Sequence, residues 1–290
     1  MPENFNSDNP KYHLMETQGY VVQSNKLIQS RQKLNWVEAK LVRLAIMQVL
    51  RNDTKFDAYK IPIKTFCELL NIDLDLYCGK NAKKICDGIA RKPLQIQCGD
   101  DWKIIPWVSF CEYKSKKGDV TEGTITIKLN DQLKPYLIGL EQYYTQYAIE
   151  HILNMQSKNI YGLRIFELIL SKIYSGVPKE GIYVELTVEE IRVCCDCEDK
   201  YDKIGMLKVR VIDKAREEIC NNTIFDVDYI EMTVAKKIVG FRFFIQKKYH
   251  RKESAITESD MGQDMQPKRR KRKKQNKDIW EQQELHFNEE

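Results

Sequence analysis

No run of the 290 residues is apolar for long enough to cross a bilayer. The opening stretch "MPENFNSDNPKYHLMETQGY" also lacks the apolar segment that a secretory leader needs. The expectation is a cytoplasmic protein with no membrane contact. Histidine is scarce: His13, His151, His250 and His286 stand far apart with no His-x-His pair. No Gly-rich Walker loop is present either, so neither ATP-driven work nor a paired-histidine metal site is supported. These absences predict a non-enzyme with no metal and no cofactor. A large excess of one charge is missing too, since 47 Lys and Arg face 42 Asp and Glu for a formal net charge of +5. Where the positive charge sits therefore matters more than how much there is. Nine cysteines, an odd number, without a secretory address read as reduced thiols packed like small apolar side chains, with no disulfides.

What is present is enough apolar residue, 42%, to build a core in each of two ordinary domains. Residues 1–19 are polar and aperiodic and read as a loose arm. "VVQSNKLIQS" follows as a short apolar opening, and then "NWVEAKLVRLAIMQVLR", a helix that Asn35 can cap, with Val37, Leu41, Leu44, Ala45 and Gln48 on its face. Leu27, Leu34 and Leu41 recur every seven residues, but Asn35 interrupts them as a cap, so they are expected in the core rather than in a coiled coil. "AYKIPI" is a strand, and "KTFCELLNI" a short helix with Phe66, Leu69 and Leu70 inward. After the turn "DLDLY", a second helix runs from Gly79 to Arg91 and is stopped by Pro93. "LQIQC" begins a strand; "WKIIPWVSFCEYK", a turn around Gly118 and "GTITIKL" alternate as a hairpin.

Residues 130–155 read as a polar, aromatic-rich connection through short helices, after which the same order begins again. "SKNIYGLRIFELILSKIY" is a helix with Ser157 as its cap and Ile160, Leu163, Phe166, Leu170 and Ile173 inward. A turn, the strand "IYVEL", the short helix "VEEIRV", the turn "CDCEDKY", a long helix from Lys200 to Thr223 and the strands "IFDVDYIEM" and "IVGFRFFIQK" complete it. A helical unit with a two-stranded wing is the winged helix-turn-helix. The fold class expected is α+β, mainly helical, with tandem winged-helix domains in a pseudo-two-fold repeat. The domains are 20–135 and 136–248, and 249–290 is a basic, disordered tail.

Stepping 100° per residue through the long helix puts Ile204, Leu207, Val211, Ala215 and Ile219 in one apolar sector. Lys203, Arg210 and Lys214 fall on the far side, with Lys208 and Arg216 at its borders. In the first repeat Cys78, Ala82, Ile85 and Ile89 share a face, opposite Lys80, Lys84 and Arg91, with Lys83 beside them. Each helix also carries acids, so either basic stripe alone could be a solvated face. Both stripes occupy the second helix of a helix-turn-helix, where phosphates and base edges would lie, and all nine basic residues become candidate DNA contacts.

Here the residues resemble a known family. "YVVQSNKLIQSRQKLNWVEAKLVRLAIMQVL", "SKNIYGLRIFELIL" and "LKVRVIDKAREEICNNTIFDVDYIE" are similar, in that order, to blocks of the iteron-plasmid replication initiators, over about Tyr20 to Gln246. The resemblance implies a protein that binds repeated origin sites in double-stranded DNA, helps melt nearby AT-rich DNA and recruits host helicase and initiator proteins. It also implies a dimer through the first domain that represses the initiator's own gene, in balance with active monomers. On its motif Lys208 and Arg210 are the basic step and Glu218 the acid. Rolling-circle initiators, which are enzymes, would need the clustered histidines missing here. The alternatives are a dedicated winged-helix transcriptional repressor and a winged-helix pair that binds only protein. "CCDC" at Cys194–Cys197 is no part of the resemblance. It is expected to be structural, because a closed zinc site needs two further ligands that the neighbouring sequence does not supply. Lys268, Arg269, Arg270, Lys271, Arg272, Lys273 and Lys274 form an unbroken basic run, read as an auxiliary arm that raises non-specific affinity for DNA.

Overall fold

The structure, a computed structural model, describes residues 19–116 and 118–248. The first arm and the basic run Lys268–Lys274 lie outside the described residues. Gly19 to Lys248 belong to one compact unit with a continuous apolar core.

Strand β1 (Tyr20–Ser24) leads into the short helix α1 (Asn25–Gln29) and then α2 (Trp36–Met47). The Asn35 cap forms as the sequence suggests: its Oδ1 accepts from the Val37 and Glu38 amides, both at 3.0 Å, and Glu38 Oε2 accepts from the Asn35 amide at 2.8 Å. Leu27, Leu34 and Leu41 are buried, Leu27 on α1, Leu41 on α2 and Leu34 in the irregular segment between them. The expected single apolar face of α2 is a correction, however. Every residue from Val37 to Met47 is buried, including Glu38, Lys40 and Arg43, because these polar side chains find partners elsewhere in the fold.

Strand β2 (Ala58–Pro62) and helices α3 (Ile63–Leu70), α4 (Leu74–Tyr77) and α5 (Lys80–Arg91) follow. The turn read at "DLDLY" is the single helical turn α4, capped by Asp73. Strands β3 (Leu94–Cys98) and β4 (Asp101–Ile105) make a two-stranded sheet of their own. β5 (Val108–Lys116) and β6 (Asp119–Leu129) form the wing and pair with β2 in the order β2-β6-β5. The expected continuous strand from Trp102 to Lys114 breaks at Pro106, which has no amide to give to a ladder.

The connection after Asn130 holds a 3₁₀ turn and helix α6 (Lys134–Leu137), but also a strand that sequence reading missed. β7 (Tyr144–Ala148) pairs antiparallel with β1, from Tyr20↔Ala148 to Ser24↔Tyr144. Helix α7 (Ile149–Leu153) leads to α8 (Tyr161–Leu170). Ser157 does not cap α8: Ile160 stands at the N-cap position and offers no side-chain bond, Asn159 Oδ1 just before it accepts from the Tyr161 amide at 2.9 Å, and the Ser157 amide donates to Glu218 Oε1 at 2.6 Å. Then come β8 (Ile182–Thr187), α9 (Val188–Cys194), α10 (Ile204–Leu207), a π turn (Lys208–Ile212), α11 (Asp213–Asn222) and the wing β9 (Phe225–Val234) and β10 (Lys237–Lys247). The second sheet has the order β8-β10-β9, so the last wing strand is central in both repeats.

One buried carboxylate ties α8 to β1, α2 and β7. Glu167 on α8 accepts from Arg43 Nε (3.0 Å) and Nη2 (2.9 Å), Gln23 Nε2 (2.7 Å), Tyr147 Oη (2.6 Å) and Arg164 Nη1 (2.8 Å). Arg164 also donates to the carbonyls of Ile28, Ser30 and Cys194. Burial alone would raise the Glu167 pKa, but the two guanidinium groups and the hydrogen bonds hold it down to about 2, against an ordinary 4.5. The folded state therefore binds this proton less readily than the unfolded chain does. Its stabilisation is complete above pH ~4.5 and is lost as the pH falls towards 2.

Glu167→Gln would leave two cations buried against a neutral amide, and is expected to destabilise the protein by ~3–5 kcal/mol at pH 7. Urea unfolding of both proteins at several pH values checks it, since the difference between them should shrink steadily below pH ~4.5.

Candidate nucleic-acid interface

Helix α5 begins after Gly79, whose φ of +55° reverses the chain out of the α4 turn. Ala82, Ile85, Cys86 and Ile89 are buried, while Lys80, Lys83, Lys84, Asp87 and Arg91 are exposed. Arg91 is tied to Asp87 at 2.6 Å in an exposed i,i+4 pair; the three lysines have no ion-pair partner among the described residues.

The second basic helix departs from ideal geometry. Leu207, Val211, Ala215 and Ile219 are fully buried, as the sequence pattern requires, and Ile204 is half-buried. Between them the Asp213 amide donates to the Lys208 carbonyl, a closure over five residues rather than four. This wider turn brings Ile212 into the core beside Val211. A constant 100° step could not foresee it, although "KVRVI" packs three β-branched residues into five positions, which is poor material for a regular helix.

The five basic residues assigned to this helix divide into two groups. Lys208 Nζ meets Glu231 at 2.6 Å and lies 5.8 Å from the Tyr229 ring centroid, and Arg216 meets Asp228 at 3.1 Å; both acids are on β9. The hydrogen bond from Lys208 to Glu231 raises the lysine's pKa, and that from Arg216 to Asp228 raises the arginine's. Lys214 pairs with Glu217 on its own helix at 2.9 Å. Lys203 and Arg210 are exposed and have no such partner among the described residues. Tyr229 Oη donates to Asp213, so wing and helix are braced as one surface. The wing turns through Ala235 and Lys236, at φ of 48° and 65°, a left-handed pair with neither Gly nor Asn to announce it in the sequence.

Each basic helix is set close to its neighbour by a glycine and a glutamate. On α5 a Cβ at Gly88 would fall on the carboxylate of Glu38, which Lys92 Nζ contacts at 2.8 Å. On α8 a Cβ at Gly162 would fall on Glu218 of α11. Burial raises the Glu218 pKa, opposed by the Ser157 amide and by Lys40. The family acid is thus inward, in the seam between helices. Cys194, Cys195 and Cys197 are buried too, in a turn held by Arg192, which donates to the carbonyls of Cys197, Lys200 and Tyr201.

Gly→Ala inside an exposed helix would normally stabilise by up to ~1 kcal/mol. Gly88→Ala and Gly162→Ala should instead each destabilise by ~1–3 kcal/mol, because the displaced carboxylates are held by a capping box and by the half-buried Ser157 amide. Melting curves of the two variants decide the sign.

With this geometry established, comparison with known proteins places the chain. The first winged-helix region of the initiator replication proteins matches residues 20–168 and the second matches 187–245. Among solved structures, the Pi initiator protein in complex with iteron DNA is similar over 80% of this chain and 99% of its own, with a TM-score of 0.64 at 16% identity. Domains 2 and 3 of RctB align over 73% of this chain and 82% of theirs at 10% identity, with a TM-score of 0.41. The fold is shared with the first of these, and the two matched regions together span most of the residues described: the chain belongs to the initiator replication protein family, with its two winged-helix domains.

Proposed function

We propose that the protein binds repeated sites in double-stranded DNA at a plasmid replication origin through its two winged units, 20–135 and 136–248. Binding helps to open adjacent AT-rich DNA and recruits host helicase and initiator proteins. The observation that carries the reading is the equivalent placement of two basic helices, α5 and α10–α11, in one compact body of this family. The likeness to a protein solved on iteron DNA supports it. Lys80, Lys83, Lys84 and Lys203 meet phosphate; Arg210 meets a guanine edge. Lys208, Lys214, Arg216 and Arg91 reach phosphate by exchanging one acidic partner for another. The exchange is easy, because an exposed ion pair contributes only ~0–1 kcal/mol. The run Lys268–Lys274 adds non-specific affinity.

A second copy joins through the first unit, and the dimer represses the initiator's own gene. Strand β4 supports this. Among the described residues it pairs only with β3, leaving one edge open, and it presents Trp102, 62% exposed, and Ile104 on one face.

Arg210→Ala should relax base preference at one position of the site, by ~1–3 kcal/mol of discrimination. Lys80→Ala should weaken every duplex alike and reduce the salt dependence by about one phosphate contact. Competition binding at several salt concentrations separates the two; equal, sequence-independent losses would refute the division of roles. Footprints on direct repeats fit initiation, whereas a single protected palindrome would mark a dedicated repressor. Trp102→Glu should shift the protein towards monomer in sedimentation equilibrium while leaving single-site affinity unchanged.

A further inference from the structure

The outward ridge of the second basic helix is not wholly cationic. Between Lys203 and Lys214 the outermost side chains are Met206, 43% exposed, Val209, 52% exposed, and Arg210. A valine there adds nothing to the core and is a poorer helix former than most alternatives. Its placement follows from the π turn: with Val211 and Ile212 both drawn inward, Val209 and Arg210 project as an adjacent pair. Lys208, which precedes Val209, is pulled aside to Glu231 on the wing.

We infer that Val209 is a specificity-determining residue that reads the 5-methyl group of a thymine in the major groove, with Met206 one turn earlier extending the same apolar row. This rests on the DNA-binding reading above. The methyl of thymine is the apolar feature of a major-groove base edge, and every other group there donates or accepts a hydrogen bond. An exposed aliphatic side chain beside an arginine without an ion-pair partner is therefore matched to a T·A pair next to the guanine that Arg210 contacts. The cations alone would favour guanine and phosphate and leave that neighbouring base pair unread.

The test uses the full-length protein and a duplex that it selects from a random-sequence pool. Each thymine is replaced in turn by deoxyuridine, which removes the methyl group and nothing else. Wild type should lose about fourfold in affinity at one position, the equivalent of ~0.8 kcal/mol for one methyl group. Val209→Ala should show the same loss on the thymine duplex and be indifferent to deoxyuridine at that position, while Val209→Ile should keep the wild-type response. Val209 is exposed, so unchanged melting curves confirm that each variant is folded. The inference is overturned if wild type ignores the substitution at every thymine, or if Val209→Ala keeps the full wild-type pattern. Failure to enrich any sequence would instead remove the DNA-binding reading on which the inference stands.

Discussion

The packing of α2, β1 and β7 against α8 turns on the carboxylate of Glu167. It takes hydrogen bonds from Gln23 on β1, Arg43 on α2, Tyr147 on β7 and Arg164 on its own helix at once. A buried ion pair is a poor source of net stability, because desolvation consumes most of the attraction. It is a strong source of uniqueness: an alternative packing of α2 against α8 would leave Arg43 buried without Glu167. Around this centre Lys40 donates to the carbonyls of Leu153 and Met155, and Asn25 bridges Thr145 and the Ser171 carbonyl. Burial lowers the Lys40 pKa to about 8, opposed by nearby Glu218, so this lysine too is held inside by its partners rather than by solvent. On the proposed reading two basic helices act on one duplex only if their spacing is fixed; α5 packs on α2 and α11 on α8, so this polar seam supplies the fixing.

Much of this fold is written in local pattern. Period-two runs mark both wings, Asn35 marks the start of α2, and the stripe Leu207, Val211, Ala215, Ile219 marks which side of the second basic helix is inward. What stayed hidden has a common physical origin in partners that are distant in sequence. Arg43 and Lys40 look like the wet face of an amphipathic helix until Glu167, 124 residues away from Arg43, is placed beside them. β7 looks like a polar connection until β1 returns to pair with it. The π turn is a different case: the signal was present in the β-branched "KVRVI", but a fixed angular step cannot register one extra residue per turn, and Val209 therefore went unnoticed beside Arg210. Among the candidate contacts of the second basic helix, the angular step sets Lys208 and Arg216 at the borders of the stripe but could not show what holds them. The wing acids Asp228 and Glu231 tether these two and leave Lys203 and Arg210 without an ion-pair partner among the described residues.

The chain thus uses opposite charges in two regimes that differ in dielectric rather than in chemistry. In the dry seam, Arg43, Arg164 and Glu167 interact strongly, exchange with nothing and define one packing of α2 on α8. On the wet face, which we propose meets DNA, Lys208, Lys214 and Arg216 hold acids that water and salt already screen, so a phosphate can replace Glu231, Glu217 or Asp228 with little change in free energy. In the absence of DNA, those weak pairs hold the long cationic side chains near the helix and reduce the rotamer freedom lost on binding. They also neutralise part of the stripe, which lowers indiscriminate attraction to any polyanion and leaves Lys203 and Arg210 to act first. A surface with every cation unpaired would bind more tightly to all DNA and discriminate less. On the proposed reading the acids on β9 are therefore part of the recognition surface, because they set how much of the affinity is independent of sequence.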